Sequence, residues 1–346
     1  MQLKDFHYTV PEELIADHPI KKRGESRLLH LNKSNGSIED RHYYDLVDIL
    51  KEGDVLVLND TKVIKARLIT QKSSSTKREI VLVEQHGKVD DWLSHRVLYR
   101  GRLKKDDVLH IAEHELIVKE ILGNGLAIIH SKVDLRELAE RYGNVPLPPY
   151  MNRTATDDDI ERYQTVFARE AGSVAAPTAS LNMTDEILQK LKDKGVAVVY
   201  VTLHVGLGTF LPIRVDDIAK HKMHQEYFSI PQASAKLIRE AKLSERRVIA
   251  LGTTVTRTLE YAHDTIMGTS DHDIVGEADI FIYPGYKFGI VDTLLTNFHL
   301  PKSSLFLLVC AFGGTENLKS AYGHAVEQKY NFFSYGDAML INRFDE

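Results

Sequence analysis

Residues 172–212 constrain the fold of this chain more than any other stretch, because two loops rich in small residues bracket one helix-and-strand unit. The first loop reads G-S-V-A-A-P-T-A-S-L-N-M-T and the second L-H-V-G-L-G-T-F-L-P. Between them, Thr184 is suited to cap a helix, and Asp185 and Glu186 fall in its first turn, where the helix dipole favours carboxylates. Ile187, Leu188 and Leu191 give that helix an apolar face, Gly195 stops it, and residues 196–203 read as a buried strand. Such a unit belongs in a layered α/β sheet, with His204 at the carboxyl end of the strand, where open α/β sheets bind ligands. A stacked core histidine is the competing reading of His204. Small residues let a backbone approach a ligand closely, so both loops read as binding loops.

The Gly206 and Gly208 pair suggests a dinucleotide-binding turn, but its context excludes one. Leu211 stands where the third glycine belongs, and Pro212 follows where a helix must open on the phosphates. At 346 residues the chain has room for two domains. A net charge of -5 gives no global attraction to nucleic acid or to anionic membrane, so an RNA partner requires a local patch. Cys310 is the single cysteine and lies in an apolar run, which excludes an internal disulfide and a cysteine-built zinc site. With a charged amino terminus and no long apolar run, the chain reads as a cytoplasmic protein without a membrane span, and as a monomer.

Strands are expected at residues 27–31 and 54–60, an Asn35-Gly36 turn between them, and a short helix at 44–50. From Ile64 to Ser131 the pattern changes to short alternating runs with turn signals such as Gly123-Asn124-Gly125, the mark of a small antiparallel β-domain. A helix at 134–142 closes it, and three prolines stiffen residues 144–153 into a junction. Helices near 159–168, at 233–242 and at 318–330, strands at 247–251 and through A-D-I-F-I-Y, complete the reading. The predicted architecture is a mixed α/β main domain, residues 1–63 and 145–346, with an inserted β-barrel-like domain at 64–144.

Further loops carry chemistry. At Gly252 a strand ends and Thr253 or Thr254 caps a helix, whose amides and Arg257 suit a carboxylate; a solvated arginine on an ordinary helix is the plain alternative. The run N-F-H-L-P-K-S-S-L gathers Asn297, His299, Lys302 and Ser303, with Ser303 equally readable as a helix cap. His224 and Glu226 form a candidate proton-handling pair. Asn59 and Asp60 make either an Asx turn or a ligand edge at the domain hinge. No metal spacing occurs among His204, His224 and His299. Arg96, Arg100, Arg102, Lys104 and Lys105, interleaved with Trp92 and Tyr99, have the composition of a surface for RNA.

Taken in order, the motifs S-R-L-L, G-D-V-L-V-L-N-D-T-K-V-I, P-L-P-P-Y, E-R-Y-Q-T-V-F-A, G-S-V-A-A-P-T-A, T-L-H-V-G-L-G-T-F, M-H-Q-E, G-T-T-V-T-R-T-L-E, I-F-I-Y-P-G-Y, N-F-H-L-P-K-S-S-L and F-F-S-Y-G-D-A-M resemble the S-adenosylmethionine:tRNA ribosyltransferase-isomerase family of queuosine biosynthesis. The resemblance implies transfer and isomerisation of the ribosyl part of S-adenosylmethionine onto 7-aminomethyl-7-deazaguanine in the tRNA wobble position, with adenine and methionine released. It implies S-adenosylmethionine as substrate, no cofactor and no metal, and the anticodon region of tRNA as partner. His204, His224 and His299 become the candidate bases. Asn59, Asp60, Arg67, Tyr150, Arg153, Gln164, Ser173, Thr178, Gly206, Gly208, Thr209, Phe210, Glu226, Thr253, Thr254, Arg257, Asn297, Lys302 and Ser303 become candidate substrate contacts. The chain departs from the family pattern at Ser180, Asn182, Met183, Leu211, Val255 and residues 73–76, so a relative with another acceptor, or a non-catalytic RNA- or metabolite-binding protein, are the rival readings.

Overall fold

Strand residues that alternate between two apolar faces build the centre of the molecule. In the computed structural model, which describes residues 1–72, 76–86, 91–210 and 213–343, the strand Val55–Asn59 is buried along its whole length. Val55 and Val57 face one core with Val199, Val201, Ala250 and Leu294, while Leu56 and Leu58 face the other with Ile249, Leu251 and Leu295. A sheet covered on both faces needs such near-continuous apolar strands. The helix Asp185–Asp193 covers one face with Ile187, Leu188 and Leu191. Helices Gln232–Leu243, Thr253–Tyr261 and Ser304–Gly313 cover the other through Ile238, Val255, Leu259 and Phe306.

The sheet has nine strands in the order Ile274–Ala278, Glu226–Ile230, Ala197–Leu203, Val55–Asn59, Val248–Leu251, Thr293–Asn297, Ala338–Asn342, Arg27–Asn32 and Ile38–His42. The four strands from Ala197–Leu203 to Thr293–Asn297 are mutually parallel, so their carboxyl ends share one edge. Thr184 caps its helix by accepting from the Ile187 amide at 3.1 Å, as its sequence position requires.

The strands Arg67–Lys72, Thr76–Leu82, Ser94–Tyr99, Val108–Ile111, His114–Gly123 and Leu126–Ser131 close into an antiparallel barrel, the β-domain expected from the alternating runs. Its core of Leu68, Ile80, Leu82, Val97, Leu109, Leu116, Val118, Ala127 and Ile129 is separate from the sheet cores. Val174, from the first small-residue loop, packs into this barrel core, and the Gln85 amide donates to the Gly172 carbonyl at 2.9 Å. The barrel is thus fastened to the loop that precedes the central helix.

Four local expectations are corrected. The helix expected near 159–168 is the shorter Asp157–Arg162, opened by the reciprocal Thr156 and Asp159 capping box. Residues 279–283 of the A-D-I-F-I-Y run are not a strand, because the edge strand ends at Ala278 where its pairing partner ends at Glu226. Gly252, at φ +100, and neither threonine, is the N-cap of the helix Thr253–Tyr261. Trp92 is buried in the barrel, stacked on His95 at 4.0 Å and covered by Arg136, so it does not face RNA.

Phe298 is fully buried at the centre of an aromatic cluster, edge-on to Tyr322 and Tyr330 and tilted on Phe332. Phe298→Ala is expected to lower unfolding free energy by about 3–5 kcal/mol in urea titrations, from lost burial plus an unfilled cavity.

Candidate active site

The shared edge of the parallel strands delivers Asn59 and Asp60, His204, Gly252, and Asn297 to one region. Glu226 lies beside it with no exposed surface. One of its oxygens accepts from the Gly206 amide and the Thr209 hydroxyl, both at 3.1 Å, and the other is ion-paired with Arg257. His224 brings Nε2 to 3.2 Å from the first oxygen, out of line for a hydrogen bond. Burial alone would raise the Glu226 pKa; the Arg257 charge, with the contacts from His224 and the Gly206 amide, overrides it and holds the carboxyl at about 2. Arg257 also donates to the carbonyls of Ala278 and Ile280. Its guanidinium is therefore engaged by internal partners, beside the candidate role as receiver of a substrate carboxylate.

Two small adjoining cavities, about 30 Å³ each, lie between the strand ends and the following loops. They share Thr178, Thr209, Asn297, His299 and Leu305. Tyr150, Ser303, Phe333 and Ser334 extend the first, and Gly252, Thr253, Thr254 and Thr296 extend the second. Thr178 donates to the Asn297 side chain at 2.9 Å. His299 is fixed through Nε2, 2.8 Å from Thr296 Oγ1, and its amide donates to the Tyr322 hydroxyl at 3.0 Å. Burial pushes its pKa down to about 3, so the ring is neutral at physiological pH.

His204 is buried as well. Its Nδ1 lies 2.8 Å from Thr61 Oγ1, and its ring stacks on Tyr227 with centroids 5.6 Å apart. Burial first, and then the charge of His86, push its pKa down to about 4. A Cβ at Gly172 would come within 2.7 Å of His204 Nε2, so the glycine of the first loop is required by the histidine of the second. His204 does not line either cavity.

Several expected contacts are engaged elsewhere. Asn59 bonds to both the amide and the carbonyl of Leu203 and accepts from the Thr61 amide, the Asx-turn alternative. Asp60 accepts from Thr202 and Arg169, Ser173 ties the Ala175 carbonyl to Val205, and Gln164 pairs with both backbone groups of Val63. Arg153 makes a two-pronged pair with Asp159 at 2.6 and 2.8 Å. Arg67 is in the barrel, away from both cavities. Gly208 lies against the His224 ring, where a Cβ would meet Nδ1 at 3.0 Å. Lys302 holds a left-handed φ of +58 and donates its amide to Phe6. Ser303 caps the helix Ser304–Gly313 and also lines a cavity, so both of its readings hold. Of Phe210 only the backbone is described, and Leu211 lies outside the described residues, as do residues 73–75. Neither Asn182, which donates to the Gly336 carbonyl, nor Val255, in the main core, lines a cavity.

Phe333 and Ser334 were not singled out from the sequence, although they fall in the F-F-S-Y-G-D run. Phe333 holds φ +73, a costly backbone for an aromatic residue, and Ser334 bonds to the Tyr150 hydroxyl. Among the described residues no group of three or more metal-ligating side chains occurs, and no helix is long and apolar enough to cross a membrane.

A family model described as Queuosine biosynthesis protein matches residues 3–341. The chain belongs to this family. It is 51% identical to the S-adenosylmethionine:tRNA ribosyltransferase-isomerase of Pelodictyon phaeoclathratiforme, over 99% of this chain and 100% of that one. The protein of that name from Francisella tularensis is 45% identical, again over 99% and 100%. Among solved structures, the S-adenosylmethionine tRNA ribosyltransferase of Thermotoga maritima is similar with a TM-score of 0.56 and 34% identity, covering 97% of this chain and 99% of that one. The queuosine-biosynthesis family thus accounts for both the barrel and the mixed sheet.

Two outcomes test this geometry. Arg257→Leu leaves the Glu226 carboxylate buried and unpaired, and is expected to cost about 3–5 kcal/mol of stability in denaturant titration. His204 and His299 have folded pKa values below the usual 6.5, so between pH 6.5 and about 4 the unfolded chain binds more protons and stability falls on acidification. His204→Gln is expected to flatten the dependence of melting temperature on pH in that window.

Proposed function

We infer that this chain transfers and isomerises the ribosyl moiety of S-adenosylmethionine onto 7-aminomethyl-7-deazaguanine at the tRNA wobble position, releasing adenine and methionine. Near-full-length identity of about one residue in two to proteins named for this reaction carries the inference. The cleft at the parallel strand ends supports it, since its lining supplies distinct groups for distinct parts of one substrate. Thr178, Thr209 and Asn297 offer hydroxyl and amide groups for a ribose. The amides of the helix Thr253–Tyr261, which starts at the second cavity, suit the methionine carboxylate. Tyr150 and Phe333 offer aromatic faces for the adenine.

The sulfonium of S-adenosylmethionine acidifies the adjacent ribose methylene, and a base that takes this proton starts the opening of the sugar. We assign that role to His299, because it alone of the three candidate histidines lines both cavities. Thr296 orients the ring. The cavities are each about the volume of one water molecule, so admission of substrate requires the lining loops to part. His224, Glu226 and Arg257 hold the glycine loop and do not themselves meet the reacting atoms in this reading. The barrel, proposed as a separate domain of residues 64–144, presents Arg96, Arg100 and Arg102 as the surface for the anticodon region of tRNA. The protein is proposed to work in the cytoplasm, as a monomer.

Adenine release from S-adenosylmethionine is expected only with tRNA carrying the deazaguanine base, measured by chromatography of the products. His299→Ala is expected to lower kcat about 100-fold or more while unfolding remains cooperative. Adenine released without that tRNA points to another acceptor, and no adenine under any condition leaves only binding.

A further inference from the structure

The barrel meets the proline-rich junction at residues 146–149. A cavity of about 270 Å³ opens there between the strands Arg67–Lys72, Thr76–Leu82 and Ser94–Tyr99 and the segment 146–149. Val81, Leu98, Pro146 and Leu147 make its wall apolar, and Tyr99 adds an aromatic ring. Glu79 sits in it between two cations, 3.6 Å from Arg67 Nε and 3.8 Å from Arg100 Nε, beyond hydrogen-bond length from either. Arg67 Nε is buried and has no hydrogen-bond partner among the described residues.

An apolar slot with an aromatic face, a guanidinium Nε–H that makes no hydrogen bond and a carboxylate acceptor fits a flat heterocycle whose edge carries acceptors beside an N–H donor. Nucleobases have that edge, and single-stranded RNA is read by stacking unpaired bases on aromatic and arginine planes. The position of the cavity fits such an occupant. Pro149 lines it, whereas the next residue, Tyr150, lines the catalytic cleft, so the two openings are separated by the width of one chain segment. We propose that this cavity receives the unstacked base of a nucleotide next to the target base, so that the RNA is held at two successive positions. The inference rests on the tRNA reading above and adds to it a site that selects for an unpaired neighbour.

The test is binding of an anticodon stem-loop carrying the deazaguanine base, by fluorescence anisotropy, to the full chain and to Tyr99→Ala and Tyr99→Phe. Each is measured with the intact stem-loop and with ones made abasic 5′ or 3′ of the target. Loss of one stacked base is expected to weaken binding by about tenfold. Tyr99→Ala and one of the abasic positions should each cause that loss, together they should cause no more than either alone, and Tyr99→Phe should bind as the parent does. Equal affinity of parent and Tyr99→Ala, or losses that simply add, overturns the cavity assignment while leaving the reaction intact. An RNA that binds none of the proteins overturns both readings.

Discussion

The buried pair of Glu226 and Arg257 is the interaction on which the site depends. A carboxylate with no exposed surface is tolerated only when it is paired and hydrogen-bonded, and here its partners come from the glycine loop and from the helix that carries Arg257. Its oxygens hold the amide of Gly206 and the hydroxyl of Thr209, while Arg257 reaches the carbonyls of Ala278 and Ile280. One ion pair therefore joins the glycine loop, the helix Thr253–Tyr261 and the chain that leaves the edge strand. Buried pairs often add little net stability over apolar packing, so the effect of this one is positional: it fixes the loop that supplies Thr209 to the cleft.

A second dependence runs from the barrel. Gly172 meets both the His204 ring and, through its carbonyl, the Gln85 amide just after the barrel strand Thr76–Leu82, while Val174 enters the barrel core. The loop that continues to Thr178 is thus braced from both the barrel and the sheet edge. The junction segment performs a similar service on the opposite side, where Tyr150 bonds to Ser334 in the cleft and Asn144 exchanges two backbone hydrogen bonds with Arg67 of the barrel.

The layered α/β sheet, the barrel and the loops at the strand ends were legible in the sequence because each rests on local periodicity and capping. Thr184, Gly195 and the apolar run that follows them define their elements without reference to the rest of the chain. Partner choice was less legible. Arg257 and Arg153 look alike to a substrate-seeking reading, yet each is neutralised by a carboxylate: Glu226, which the tertiary fold brings near, and Asp159, six residues along the chain. Asn59 and Gln164 were equally ambiguous, since an amide that completes a strand edge is indistinguishable in sequence from one that binds a ligand. Trp92 illustrates the same limit, as Arg96, Arg100 and Arg102 follow it in sequence while the fold packs it into the barrel core. Phe333 escaped notice because positive φ in an aromatic residue leaves no mark on composition.

The placement of the substrate is tested most directly by a crystal structure with S-adenosylmethionine bound. The sulfonium and ribose are expected among Thr178, Thr209, Asn297 and His299, with the ribose methylene within hydrogen-bond reach of the His299 ring and the Glu226–Arg257 pair intact beneath the glycine loop. Ligand density at another edge of the sheet, or a carboxylate of the substrate displacing Glu226 from Arg257, contradicts that placement.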